Sequence, residues 1–143
     1  MTVRRVILDT DVASASIKRE LSPSLIRELH GAQVGITFVT LGELTRWVHL
    51  RDWGPSKRAG LATWLSTRPT LPYSDNVARV WGEISARATK RGRPRPHNDS
   101  WIAACCLNYG LPLATLNLKD FEDFRIYEGL RIIGQPSERR AID

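Results

Sequence analysis

Apolar residues along this chain follow two spacings, and the switches between them mark most of the expected element boundaries. Residues 3–8 read as a short strand, with Val6, Ile7 and Leu8 in an unbroken run, as expected where a sheet is covered on both faces. A helix is expected over about residues 12–18. Ser22-Pro23 opens a second, with Ser22 as cap, Pro23 at the first position, Leu25, Ile26 and Leu29 as its buried side, and Gly31 as its stop. Residues 34–39, β-branched at Val34, Ile36, Thr37 and Val39, predict another strand. Thr40 is expected to cap a helix striped by Leu41, Leu44, Trp47 and Val48. After the break Asp52-Trp53-Gly54-Pro55, a further helix carries Leu61, Trp64 and Leu65, and residues 70–73 are strand-like. Asp75 begins a helix bearing Val77, Val80, Trp81 and Ile84, which ends in a connector over residues 90–96. Asn98 is expected to cap the next, with Trp101, Ile102, Cys105, Cys106 and Tyr109 on its apolar side and Gly110 closing it. Residues 113–115 and 131–133 predict two last strands.

Strands alternating with helices predict an α/β fold, an α/β/α sandwich around a mainly parallel sheet. No repeat or linker divides the chain, so residues 1–135 are expected to form a single domain and residues 136–143 a polar tail. Ligands of such sheets bind outside the carboxyl ends of the strands. Asp9 lies at one such end, Thr40 and Glu43 follow the second strand, and Asn117 and Asp120 follow the fourth.

Composition narrows the classes. The 143 residues are 42% hydrophobic and 25% charged, as in an ordinary globular protein, with no apolar run long enough to span a bilayer. Only a few apolar residues precede Asp9, too few for a signal peptide, so a cytoplasmic location and no membrane partner are expected. Cys105 and Cys106 are neighbours on a helix and diverge, which predicts buried reduced thiols, and no His or Cys pair has zinc spacing. The net charge of +6 favours a polyanionic partner. Lys90, Arg91, Arg93 and Arg95 concentrate that charge just before Asp99, either as a phosphate-binding segment or as a solvated loop.

Three acids carry the candidate chemistry. Asp9 ends the apolar run of the first strand, Glu43 lies in the first turn of a helix, and Asp99 shares a helix face with Ile102, Ala103 and Cys106. Each has an ordinary alternative: Asp9 as a helix cap, Glu43 as the partner of Thr40 in a capping box, Asp99 as an acid favoured by the helix dipole. Their conjunction at one sheet edge decides the matter. Two carboxylates ~4 Å apart repel by about 4 kcal/mol at an effective dielectric near 20, and a divalent cation reverses that penalty. Oxygen-only sites of this kind suit magnesium or manganese, and no nucleophilic side chain is then needed for phosphodiester hydrolysis.

Four segments resemble the motifs of PIN-domain ribonucleases: Val6-Ile7-Leu8-Asp9-Thr10-Asp11, Thr37-Phe38-Val39-Thr40-Leu41-Gly42-Glu43-Leu44, Asn98-Asp99-Ser100-Trp101-Ile102-Ala103-Ala104, and residues 110–121 from Gly110 to Phe121. Order, spacing and length resemble those of the VapC toxins of bacterial toxin–antitoxin pairs. The resemblance implies a PIN-like fold, Mg2+- or Mn2+-dependent cleavage of RNA, homodimerisation, and neutralisation by a small cognate antitoxin. It places Asp9, Glu43 and Asp99 at the acidic positions and Thr115 at that of an orienting hydroxyl. The fourth acidic position departs from the pattern: Asn117 stands where many members have aspartate, and Asp120 follows three residues later. Either can supply the fourth ligand, and one metal or two remain open.

Two other readings fit parts of the pattern. Asp9-Thr10-Asp11-Val12 after a strand also suits the opening motif of haloacid-dehalogenase-type phosphatases, although Asp120 and Asp123 lack the glycine expected before their later acidic pair. A catalytically inactive RNA-binding module would keep the fold without requiring the acids. Trp47, Trp64, Trp81 and Trp101 lie on apolar stripes and are expected to pack, whereas Trp53, beside Gly54-Pro55, is the freest for exposure. His97, two residues before Asp99, is expected in a solvated loop.

Overall fold

The structure, a computed structural model, describes residues 3–134. Its elements run β1 (Arg5–Leu8), α1 (Thr10–Ile17), α2 (Pro23–Leu29), β2 (Gln33–Thr37), α3 (Phe38–Leu50), α4 (Pro55–Ser66), β3 (Thr70–Leu71), α5 (Asp75–Lys90), α6 (His97–Tyr109), β4 (Leu113–Ala114), α7 (Leu118–Glu128) and β5 (Ile132–Ile133). The strands form one sheet in the order β3-β2-β1-β4-β5, and every pairing is parallel. The expected tail over residues 136–143 lies outside the described residues.

The unbroken apolar run of β1 is explained by its central place. Val6 and Leu8 enter a core shared with α1, α2, α3 and α4 through Val12, Leu25, Leu44 and Leu61. Ile7, pointing the other way, meets Val77, Ile84, Ile102, Phe121 and Phe124 of α5, α6 and α7. Two helical layers therefore cover the sheet, and β1 delivers its carboxyl end, Asp9, between them. Gly35 of β2 admits the approach of the chain before β3, because a Cβ there would lie 2.8 Å from the Pro69 carbonyl oxygen. Gly110 ends α6 in the left-handed region at φ 68°, as its position predicts.

Several expectations are corrected. Thr40 does not cap α3. The helix starts at Phe38, Thr37 is its cap and accepts a hydrogen bond from the Thr40 amide, so the β-branched Val39 belongs to the helix. Pro96, not Asn98, precedes α6, which places His97 in its first turn. Ile26 (54% exposed) and Tyr109 (36%) face water rather than core, while Trp53 is buried at 8%. The apolar pattern does not predict the helix α7. Its inward face carries Asp123 beside Phe121 and Phe124, so the apolar stripe is interrupted by a buried acid. Cys105 and Cys106 are buried free thiols, as expected, and burial pushes Cys105 up to about 12.

Candidate active site

Asp9, Asp11, Glu43, Asp99 and Asp120 line one pocket of about 320 Å³, together with Thr10, Asn98 and Asn117. It lies where β1 and β2 run into α1 and α3, and where α6 and α7 begin. No lysine or arginine lines it.

Asp9 is 4% exposed and serves as the cap of α1, its Oδ1 accepting from the Val12 amide at 2.9 Å. Its Oδ2 accepts from Thr115 Oγ1 at 2.5 Å. The Thr115 hydroxyl itself accepts from the Asn117 amide at 2.9 Å, which directs its proton to Asp9. The capping and site readings of Asp9 are thus both true, because one carboxylate has enough lone pairs for both tasks.

Glu43 is positioned from two sides. Thr10 Oγ1 donates to Oε1 and Asn98 Nδ2 donates to Oε2 at 2.9 Å. With its proton spent on Glu43, the Thr10 hydroxyl accepts from Thr40 Oγ1 at 2.9 Å. Thr40 and Glu43 therefore form no capping box: Glu43 lines the pocket, and Thr40 is buried behind it against Thr10. Asp11 accepts from Asn117 Nδ2 at 2.9 Å.

The pocket holds its acids at unfavourable potential. Burial raises Asp9 to about 6, against the pull of its Thr115 and Val12 hydrogen bonds and with help from Asp11 and Glu43. Asp99 also rises to about 6, first through burial and then through repulsion by Asp120, Asp9, Glu43 and Asp11. All five carboxylates are hard oxygen donors, which fits a magnesium-like cation in chemistry. Among the described residues no group of three or more is gathered as a ready-made coordination shell, and the hydrogen bonds on Asp9 and Glu43 fix where each one points.

The basic segment is less uniform than its sequence. Lys90 ends α5 and Arg91 caps it. Arg91 turns inward onto Asp123, with Nε 3.3 Å from Oδ1 and Nη2 on Oδ2, and its guanidinium lies 4.3 Å over the Tyr127 ring. Arg95 donates to the main-chain oxygens of Arg93 and Lys119. Lys90 and Arg93 are exposed. Sequence alone missed Thr10 and Asn98, which hold Glu43; the signal was present, since each is a polar residue next to a motif acid.

A parallel sheet with acids gathered at its carboxyl edge is the pattern of the family that the motifs suggested. The chain belongs to the PIN domain family, which matches residues 6–126, and this sets aside the phosphatase alternative. It is 33% identical to Ribonuclease VapC5 of Mycobacterium tuberculosis over 126 residues, covering 86% of this chain and 87% of that one. To the tRNA(fMet)-specific endonuclease VapC of Shigella flexneri it is 29% identical over 121 residues, covering 82% and 90%. The solved structure of VapBC-5, a member of the VapBC family of toxin–antitoxin systems from Mycobacterium tuberculosis, superposes with a TM-score of 0.66 at 30% identity, over 92% of this chain and 98% of that one.

Proposed function

We propose that this chain is an endoribonuclease of the VapC type, the toxin of a toxin–antitoxin pair, and that it hydrolyses RNA phosphodiester bonds with Mg2+ or Mn2+. The observation that carries the reading is the pocket of five carboxylates without a lining cation in a chain of the PIN family. The names of the relatives support the activity, and the VapBC complex supports a small antitoxin as partner. Homodimerisation remains part of the proposal.

In this reading Asp9, Glu43 and Asp99 hold the cation, with Asn117 or Asp120 as a further ligand. A divalent ion held there would polarise a phosphodiester oxygen and lower the pKa of a water. The protein's own residues supply the rest. Thr115 holds Asp9 in one orientation, while Thr10 and Asn98 hold Glu43. Asp99 accepts no side-chain hydrogen bond from the described residues, so both its oxygens can face a ligand. Lys90 and Arg93 are the cations of the basic segment left to meet RNA backbone, since Arg91 is committed to Asp123.

The test is cleavage of total tRNA by the purified chain. Activity should appear with magnesium or manganese, stop on chelation, and fall by at least a hundredfold in Asp99→Asn. An RNA-binding module without chemistry would bind the same tRNA and leave it whole under every metal tried.

A further inference from the structure

Past Trp47 the acid pocket opens into a second hollow of about 310 Å³, bounded by Asp11, Ser14, Lys18, Glu20, Trp47 and Arg51. Asp11 and Trp47 line both, so the two form one continuous surface. Asp11 and Ser14 of α1, and Lys18 that caps its C-terminus, lie three and four residues apart and form a single stripe leading away from the acids. At ~1.5 Å per residue, that stripe carries the surface about 10 Å from Asp11 to Lys18. Trp47 and Arg51, four apart at the end of α3, form the opposite wall.

The chemistry changes along this path. The acid pocket has no lining cation, whereas the hollow beyond it has two, Lys18 and Arg51, both exposed and neither in an ion pair among the described residues. The Arg51 guanidinium lies 4.6 Å from the centroid of the Trp47 ring. A planar cation on an indole is a stacking platform for a nucleobase, and it also carries charge that a phosphate needs. The hollow's size is that of a small-ligand pocket, about 300 Å³. Glu20 faces the same space and suits the exocyclic amine of a base.

We propose that this trough is the subsite for the single-stranded nucleotide adjoining the scissile phosphate, with its base on the Arg51–Trp47 stack and its outer phosphate on Lys18. The subsite rests on the ribonuclease reading above. It gives the RNA strand a path across the acids, from Lys90 and Arg93 on the α5 side to Lys18 and Arg51 on the α1–α3 side. A protein segment is the other occupant such a trough could take, but a pair of unpaired cations beside a phosphodiesterase-like acid pocket favours the nucleic acid.

Binding of a fluorescein-labelled, mixed-sequence single-stranded RNA oligonucleotide tests this. It is measured in an Asp99→Asn background across a salt series, alongside cleavage of tRNA by the chain with Asp99 intact. Adding Lys18→Ala and Arg51→Ala together should weaken binding at least tenfold, within the range of one lost stacking contact. The slope of log affinity against log salt should flatten by about 0.7 for each phosphate contact removed. Lys18→Arg should restore the slope, and Arg27→Ala, an exposed cation on α2 that lines neither hollow, should change neither quantity. If the intact chain cleaves tRNA while the folded double variant binds RNA with unchanged affinity and slope, the subsite is overturned and the trough is left to a protein segment. If the intact chain does not cleave, the ribonuclease reading falls and the subsite with it.

Discussion

A hydroxyl has one proton, and at Thr115 that proton is committed to Asp9 because the Asn117 amide already occupies the oxygen from the other side. Thr115→Val keeps the shape but leaves the buried Asp9 oxygen and the Asn117 amide with one partner fewer. It should lower stability by about 1–3 kcal/mol and reduce RNA cleavage at least tenfold, read from urea midpoints and single-turnover rates. A second outcome at this scale follows from proton uptake. Asp9 and Asp99 titrate near 6 in the folded chain against an ordinary 3.8, so between those values the folded state holds protons that the unfolded chain has released. Their stabilising contribution is complete below about pH 4 and disappears as pH rises through 6. The urea midpoint in EDTA should therefore fall between pH 5 and pH 7, and saturating magnesium should flatten the fall. A midpoint that climbs over that interval in EDTA, with a weak or absent metal response, would count against repulsion among these acids.

At the scale of elements, α7 is the instructive case. Its N-terminal turn brings Asp120 and Phe121 to the acid pocket, and its far side is clasped to α5 by Arg91 on Asp123 and Arg87 on Glu128, the latter with both contacts at 2.9 Å. Arg91→Ala leaves Asp123, whose side chain is 2% exposed, without its cation and should lower the urea midpoint well beyond the effect of a surface change. Arg93→Ala, on the exposed neighbour, should stay within about 0.5 kcal/mol. Equal urea midpoints for the two variants would refute the clasp. The same buried pair explains what could not be read beforehand. Strands and most helices were legible because Val6-Ile7-Leu8 or Leu41, Leu44 and Val48 announce their period. In α7 a carboxylate occupies an inward position, and its partner lies 32 residues earlier, so the stripe looks broken and Arg91 looks available. In α6 five consecutive residues from Ile102 to Cys106 are buried, which makes the helix recognisable by its closing Gly110 more than by a face. The three acids of the site were legible from their places at strand and helix ends. Thr10 and Asn98 were legible only as polar neighbours of motif acids, since the fold alone reveals that each donates to Glu43.

For the molecule as a whole, a basic chain that cleaves RNA should arrest growth when made without an antitoxin. Asp9→Ala should relieve the arrest at matched protein levels. Asp11→Ala should be milder, because Asp11 stands at the rim, held by Asn117, while Asp9 stands at the centre. Equal and complete relief by both, with folding intact, would reject that assignment of roles. No described helix is long and apolar enough to cross a membrane. The order of strands carries a further consequence, one of timing. The innermost strand, β1, is made first, yet its second neighbour, β4, spans Leu113–Ala114, and the pocket takes residues from position 9 to position 121. A chain leaving the ribosome thus exposes Asp9 and Glu43 long before Asp99, Thr115 or Asp120 exists to complete them. Whatever chemistry the pocket performs therefore has to wait until the stretch from Asp99 to Phe121 has been made and folded onto β1.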